Sequence, residues 1–259
     1  ARVLRNGTFS SPRVLDGSAT FKAYLNAAER LPAGYPHAFC LYGKAANVYA
    51  MGSVARVFAG TPPPPRDTPP PEGPNGGYGT ALFVDTFDRQ ERGLGPHWVQ
   101  LRGMWLTEPR GAVSDLNGGN YALAKVAPCG DCQVQARVVG FGVTETALVL
   151  RATGEGGQDR YELMLRGNGM LQLRRWKSGS LSVLAEAPSG LRLNEYAQLS
   201  LSASGDGPVT LSASVNGEPF LSATDAGVGA LRSPGSAGLW TTHAGVAFED
   251  FRLTALPRR

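Results

Sequence analysis

At 259 residues the chain has room for one large domain, or for a large and a small one, built around a hydrophobic core. Its net charge is +4, but the basic residues are scattered along the sequence, which argues against a nucleic-acid-binding protein. No apolar stretch reaches the roughly 18 residues of a membrane span, and the high contents of glycine (34) and proline (19) favour an all-β fold of short strands and tight turns.

Residues 1–60 are predicted to form a small α+β region. Strand-like composition occurs in residues 37–43 and 47–60. Before them, apolar residues recur at helical spacing between a candidate N-cap and a proline stop: Ser18, Phe21, Tyr24, Leu25, Ala28, Leu31 and Pro32. So small a region has little core of its own, and we expect it to act as a docking or attachment region.

Proline dominates the next segment, residues 61–79. Eight of the fifteen residues from Thr61 to Asn75 are proline, which excludes a helix or a central strand. Such a segment adopts extended polyproline II and would act as a semi-rigid spacer of roughly 50 Å, at about 3.1 Å per residue. The sequence therefore predicts two bodies held apart by a linker.

Residues 80–256 alternate apolar and polar side chains with the period of a β-strand. In one example, Tyr161, Leu163 and Leu165 alternate with polar or flexible residues before a Gly-Asn-Gly turn at 167–169. About twelve to fourteen such strands predict a single antiparallel sandwich or barrel. Residues 257–259 form a short basic tail.

Two of the three cysteines, Cys129 and Cys132, lie in the sequence PCGDC, and the third is Cys40. Their spacing suits half a zinc site, a redox pair, a local disulfide or two free thiols in a turn. A zinc site needs two more ligands, and the nearest histidines are distant in sequence. A disulfide or two free thiols are therefore the favoured alternatives.

The order of short motifs in residues 80–256 resembles a known superfamily. VDTFDR and GLGPHWVQLRGMWLTEPRGAV precede DCQVQARVV, TALVLRATGEGGQDRYELML, GMLQLRRWKSG, LSLSASGDGPVTLSASVNG and GSAGLWTTHAGVAFEDFRL. Together they look like a concanavalin A-like lectin or glucanase jelly roll of the laminin G-like type. The resemblance implies a sandwich of two antiparallel sheets, one of them concave, with the strands around 83–87 and 248–253 paired. That superfamily holds lectins, glycosidases, adhesion modules and virion proteins, so the motifs indicate the fold and not the function.

The polar segment DTFDRQERGLGPHW, residues 85–98, would then be the first strand of the sandwich and its turn. We expect Phe87 and Trp98 to be core residues, Gly93 and Gly95 to form turns, and the charged side chains to be solvated.

Many members of the superfamily bind calcium near the junction of the first and last strands. The matching carboxylates in this sequence are Asp85, Asp88 and Asp250, and clustered oxygen ligands on loops are what calcium needs. The alternative is that these aspartates cap turns and accept backbone hydrogen bonds.

Nothing in the sequence predicts catalysis. Glycosidases of this superfamily carry acidic residues alternating along one strand, and that pattern is absent here. The carboxylates of Glu155 and Asp159 lie in a glycine-rich turn, and Glu162 stands alone on its strand. There is no Gly-x-Ser-x-Gly, His-Glu-x-x-His or phosphate-loop motif, so we expect a protein that is not an enzyme.

Glycan binding is a stronger candidate, because sugars are recognised by aromatic faces together with a few polar groups. The candidate residues are Trp176, Trp240, Arg151, Glu162 and Arg174, with Gln172 and Thr242 beside the two tryptophans. Arg151 and Glu162 would join this site if their strands are neighbours on the concave sheet. The alternative is a purely structural or adhesive sandwich.

The layout as a whole favours a bacteriophage virion accessory protein. A small attachment region, a stiff spacer, a lectin-like domain and no signal-peptide core near Ala1 suit a multicopy or oligomeric protein that is made in the host cytoplasm. Residues 1–60 would dock on other virion proteins, and the sandwich would be displayed toward glycans. The rival hypotheses are an exported or cell-surface carbohydrate-binding module and a glycoside hydrolase with an unrecognised site.

Overall fold

A computed structural model of the chain describes residues 79–108, 111–114, 119–139, 145–191, 196–242 and 246–257, together with the backbone of six strands before them. The chain divides into two units, Ala1–Arg66 and Asp67–Arg259. The helix predicted over residues 18–31, the proline-rich residues 61–78 and the tail residues 258–259 lie outside the described residues. In the described part, no helix is long and apolar enough to cross a membrane.

Six strands are described in the first unit. They are β1 (Arg2–Arg5), β2 (Thr8–Phe9), β3 (Pro36–Cys40), β4 (Tyr42–Ala45), β5 (Val48–Met51) and β6 (Ala55–Phe58). One antiparallel sheet has the order β2-β1-β3-β6, and β4 and β5 form a separate hairpin. The structure thus has strands within both segments for which the sequence predicts them, residues 37–43 and 47–60.

The second unit contains sixteen strands among its described residues, somewhat more than the sequence predicts. Between residues 85 and 114, where alternation is weak, four short strands occur. The strands are β7 (Ala81–Asp85), β8 (Glu91–Arg92), β9 (Trp98–Arg102), β10 (Trp105–Glu108), β11 (Gly111–Ser114), β12 (Asn120–Ala124), β13 (Cys132–Val139), β14 (Thr146–Thr153), β15 (Asp159–Leu165), β16 (Met170–Lys177), β17 (Ser180–Pro188), β18 (Tyr196–Ser204), β19 (Val209–Val215), β20 (Glu218–Asp225), β21 (Ser236–Thr241) and β22 (Ala247–Ala255). A 3-10 helix, Glu155–Gly157, joins β14 to β15.

Two antiparallel sheets form the sandwich, as predicted. The larger sheet has the order β20-β19-β18-β13-β22-β11-β10-β8, with β7 also paired to β22, and the smaller sheet has the order β17-β16-β15-β14-β21-β12-β9. The expected pairing of the first and last strands is confirmed, because Phe83 lies opposite Leu253 and Asp85 opposite Phe251.

The core lies between the two sheets and follows from the alternation in the sequence. In β13, for example, Cys132, Val134, Ala136 and Val138 are buried, while the residues between them are partly exposed. Fully burying one such apolar side chain of valine or leucine size contributes about 1.5–3 kcal/mol to folding.

The first strand and its turn contribute aromatic residues to this core. Phe87 and Trp98 are buried as predicted, and the ring of Trp98 lies 5.5 Å from that of Phe83 and 4.9 Å from that of Phe251. Gly93 and Gly95 have positive φ angles of 85° and 79°, which confirms them as turn residues.

Candidate functional site

The smaller sheet turns one face to the core and the other outward, and the outward face carries four of the five predicted glycan-binding residues. Leu148, Leu163 and Leu173 form one row of neighbours that point into the core. Side chains alternate along a strand, so the adjacent row of Val149, Glu162 and Arg174 points outward. The same alternation places Trp176 and Trp240 outward. We call this surface the outer face.

The Glu162 carboxylate is at the centre of the outer face, and its side chain has 0% exposure. One oxygen accepts a hydrogen bond of 2.7 Å from Arg160 Nε, and the other accepts one of 3.0 Å from Trp176 Nε1. Both oxygens are therefore occupied, and the carboxylate fixes the positions of an indole ring and a guanidinium group.

Arg160 connects this centre to a second aromatic ring. Its guanidinium carbon lies 5.3 Å from the ring centroid of Trp176 and 5.1 Å from that of Tyr121, within the range of cation–π attraction. Arg160 Nη1 and the Tyr121 hydroxyl donate to Gly157 O at 3.3 and 3.2 Å. Burial raises the pKa of Tyr121, which keeps the hydroxyl protonated as a donor. These two hydrogen bonds to Gly157 fix the 3-10 helix over part of the outer face.

Beneath that helix the outer face has a small apolar cluster of its own. Tyr121, Leu123, Val149 and Ala152 are buried there, and the partly buried Trp240 packs against them. Trp240 is three strands away from Trp176 and displaced by four residues along the strands. Standard strand geometry separates their Cα atoms by about 20 Å, so the two indoles belong to different subsites.

A chain of polar contacts lines the other side of Glu162. Arg174 Nε donates to Gln172 Oε1 at 2.6 Å, and Gln172 Nε2 donates to Glu186 Oε2 at 2.6 Å. Glu145 is 2.9 Å from Arg166 Nε and 3.8 Å from Arg174 Nη2, so two guanidinium groups share one carboxylate. Burial lowers the pKa of Arg174, partly opposed by the nearby carboxylates.

Arg151 does not belong to the outer face, contrary to the sequence-based hypothesis. It has a φ angle of 50° and lies where the register of β14 shifts against both of its neighbours, and this bulge turns its side chain away. The guanidinium donates to Gly130 O at 2.9 Å, Gly205 O at 2.8 Å and Leu231 O at 2.8 Å. Its side chain is 1% exposed, and it links three loops at one end of the sandwich.

Asp85, the first candidate calcium ligand, is occupied by hydrogen bonds within the protein. Both oxygens accept from the Arg89 guanidinium, at 2.6 and 2.9 Å, while Trp98 Nε1 and Phe87 N donate to it at 2.8 and 2.9 Å. Burial works to raise the pKa of Asp85, but the hydrogen bonds from Arg89 and Trp98 outweigh it and lower the pKa. The expectation that the charges of this segment are solvated is therefore wrong for Asp85, whose side chain is 10% exposed, while Arg89 remains partly exposed.

The other two candidate calcium ligands do not complete a site around it. Asp88 is exposed, and Asp250 lies in β22 with a φ angle of 54°. Among the residues that the structure describes, no three His, Cys, Asp or Glu side chains come together as a metal site. The predicted calcium site is thus not formed by these carboxylates, and Asp85 instead follows the turn-capping alternative.

Cys129 and Cys132 are joined in a disulfide, which is one of the two alternatives that the sequence favours. The bridge closes a turn whose Gly130 carbonyl and Asp131 carboxylate both contact Arg151. Cys132 belongs to the core cluster and Cys129 packs against it, so the disulfide is part of the core and not of the outer face.

Sequence reasoning missed Arg160, Tyr121 and Glu145. Arg160 and Glu162 are two residues apart on one strand, so alternation alone could have placed them on the same face. Tyr121 lies on β12 and Glu145 lies just before β14, both distant in sequence from Arg174 and Trp176, and no local signal identifies them.

The comparisons with known proteins agree with this fold. No protein-family model and no curated protein matches the sequence. Among solved structures, the chain is similar to the carbohydrate binding module CBM66 from Bacillus subtilis, with 19% identity and a TM-score of 0.53 over 61% of this chain and 96% of that one. It is also similar to a Bacillus licheniformis β-glucanase, with 11% identity and a TM-score of 0.52 over 69% and 99% of the two chains. These likenesses show the jelly-roll sandwich fold.

Proposed function

We propose that this protein binds carbohydrate without catalysis, on the outer face of the smaller sheet at Trp176. The observation that carries the proposal is the buried Glu162 carboxylate, which holds the Trp176 indole at 3.0 Å and the Arg160 guanidinium at 2.7 Å. This arrangement presents an aromatic surface and charged hydrogen-bond donors side by side on a rigid sheet.

The chemistry of sugars matches such an arrangement. The C–H surface of a pyranose packs on an aromatic ring, while its hydroxyl oxygens accept hydrogen bonds from guanidinium groups. Because Trp176 and Arg160 are already fixed by Glu162, binding would cost little side-chain entropy.

The hydrogen bonds of the carboxylates favour binding over hydrolysis. Both oxygens of Glu162 accept from Arg160 and Trp176, so the protein itself occupies this carboxylate. Glu145 and Glu186 are likewise engaged, by Arg166 and Gln172. A glycosidase needs one carboxyl group as the acid and a second as nucleophile or base, both directed at the substrate.

The fold is compatible with the proposal, since the solved structures that share it include a carbohydrate binding module and a β-glucanase. At these identities they bear on the fold alone. The residues of the outer face supply the argument for a ligand.

Affinity electrophoresis through gels containing plant or bacterial polysaccharides tests the proposal. We expect at least one polysaccharide to retard the wild-type protein and Trp176→Ala to weaken that retardation about tenfold or more. Leu82→Ala, on β7 of the larger sheet, is the matched control and should bind normally. Loss of binding in the control, or normal binding by Trp176→Ala, contradicts the site. Sugar release that Glu162→Gln abolishes would instead establish the glycoside hydrolase hypothesis.

We further propose that the domain is displayed on a bacteriophage virion, with residues 1–60 docked on other virion proteins and several copies per particle. The support is the sequence layout of a small attachment region, a proline-rich spacer and a lectin-like domain. Detection of the chain in purified particles tests this setting. A signal peptide encoded upstream of Ala1 would favour an exported or cell-surface carbohydrate-binding module.

A further inference from the structure

Two exposed aliphatic side chains adjoin Trp176 on the outer face. Leu181 lies opposite Trp176, and Val183 lies opposite Arg174, in the antiparallel pairing of β16 with β17. Directly opposed residues point to the same face of a sheet, with Cβ atoms about 4.5–5.5 Å apart. The exposed fractions of Leu181 and Val183 are 43% and 48%. We call Leu181 and Val183 the aliphatic patch.

The outer face therefore changes from apolar at its edge strand to polar and charged on the strands further in. β17 is the edge strand of the smaller sheet and carries the aliphatic patch, while β16 carries Trp176. The guanidinium groups of Arg160 and Arg174 follow next to Trp176. A ligand that covers the whole site must present a small apolar group at the edge and oxygen atoms further in.

We infer that the site is selective for saccharides that carry a small apolar substituent, namely an O-acetyl ester. The sugar ring would pack on Trp176, and the acetyl methyl group would cover the aliphatic patch. Two side chains on a single strand suit a group of this size, and they are too few to cover a lipid chain. This inference rests on the proposed function, because it names the ligand class of the same site.

The larger sheet offers a matched control surface. Leu82 and Val84 on β7 are exposed to 42% and 50%, almost the same fractions as the aliphatic patch. Val84 lies opposite Arg252 in the pairing with β22, and neither residue has a tryptophan opposite it. Substituting Leu82 and Val84 therefore removes about as much exposed apolar area as substituting the aliphatic patch, and it leaves the outer face unchanged.

The test uses two polysaccharides, xylan and glucomannan. Each is used in an O-acetylated form and in an alkali-deacetylated form. Affinity electrophoresis measures binding of the full-length wild-type chain, of the double variant Leu181→Ser plus Val183→Ser, and of the control Leu82→Ser plus Val84→Ser. We expect the wild type to bind an acetylated form about fourfold more tightly per buried methyl group. The patch variant should bind both forms equally, and the control should keep the preference.

The outcomes separate the two proposals. Equal binding of both forms by the wild type overturns the ligand class and leaves the proposed function standing. Failure of the wild type to bind any of the four preparations overturns the ligand class. Retardation of the wild type by other polysaccharides would then still support the proposed function. Loss of the preference in the control also overturns the inference. So does a change of sedimentation coefficient in the patch variant, because a second copy of the chain would then cover the patch.

Discussion

Replacing Arg151 by methionine should strongly destabilise the sandwich, although Arg151 takes no part in the candidate site. The side chain is 1% exposed and donates to the carbonyls of Gly130, Gly205 and Leu231. Asp131 lies 3.3 Å from Arg151 Nη2 and also accepts from Gly205 N at 2.8 Å. Methionine would keep the apolar stem but leave these acceptors without their donor.

The magnitude follows from those contacts. The Asp131 side chain is 29% exposed and keeps its hydrogen bond from Gly205 N, so the cost comes mainly from the carbonyls. Leaving the buried Leu231 carbonyl without its donor costs about 1–3 kcal/mol, and the part-buried carbonyls of Gly130 and Gly205 add about 1 kcal/mol each, which gives about 3–5 kcal/mol in all. In a domain of this size, each kcal/mol lowers the midpoint of thermal unfolding by about 2–4 °C. We therefore expect a decrease of about 6–20 °C in Arg151→Met.

Thermal unfolding by circular dichroism and urea denaturation measure the change. Arg232→Met is the matched control, because Arg232 is exposed and donates to Gly207 O and Gly227 O at 2.8 and 3.2 Å. Its loss should cost less than about 1 kcal/mol, as is usual at the surface. If Arg151→Met unfolds within about 1 kcal/mol of the wild type, the three loops do not depend on this guanidinium and the reasoning is refuted.

Three further predictions concern other parts of the sandwich. Cys129→Ser plus Cys132→Ser should lose about 2 kcal/mol of stability from the opened four-residue loop, and dithiothreitol should lower the melting midpoint of the wild type but not of this variant. Gly235→Ala places a Cβ 2.5 Å from a backbone carbon of β14 and should cost about 1–3 kcal/mol in urea denaturation, whereas Gly207→Ala meets nothing within 4 Å and should be tolerated. Because the pKa of Asp85 is lowered on folding, its stabilising effect is complete above the unfolded pKa of about 3.9 and is lost as the pH falls further. Melting curves from pH 7 to pH 2 should therefore converge for Asp85→Asn and the wild type at the acid end, and parallel curves would contradict this.

Much of the fold can be predicted from the sequence because its signals are local. Alternation along segments such as Cys132–Val139 identifies strands and the side that faces the core, and glycines such as Gly93 mark the turns between them. The same alternation places Trp176, Arg174 and Glu162 on one face of their strands, so that part of the candidate site was also predictable.

Local patterns in the sequence were enough to predict most strands of the sandwich and the sides that they bury, since both depend on residues a few positions apart. The jelly-roll class came from the resemblance of the short motifs to a known superfamily. The roles of the charged groups emerge only in the folded protein, because the backbone conformation and the packing of strands and loops select their partners. Arg151 looked like a ligand-binding residue until a left-handed bulge turned it toward three loop carbonyls. Asp85 looked like a calcium ligand, but its oxygens accept from Arg89 and Trp98. Whether a charge is free to bind a ligand depends on which hydrogen-bond partners surround it, and those are fixed only when the sheets assemble.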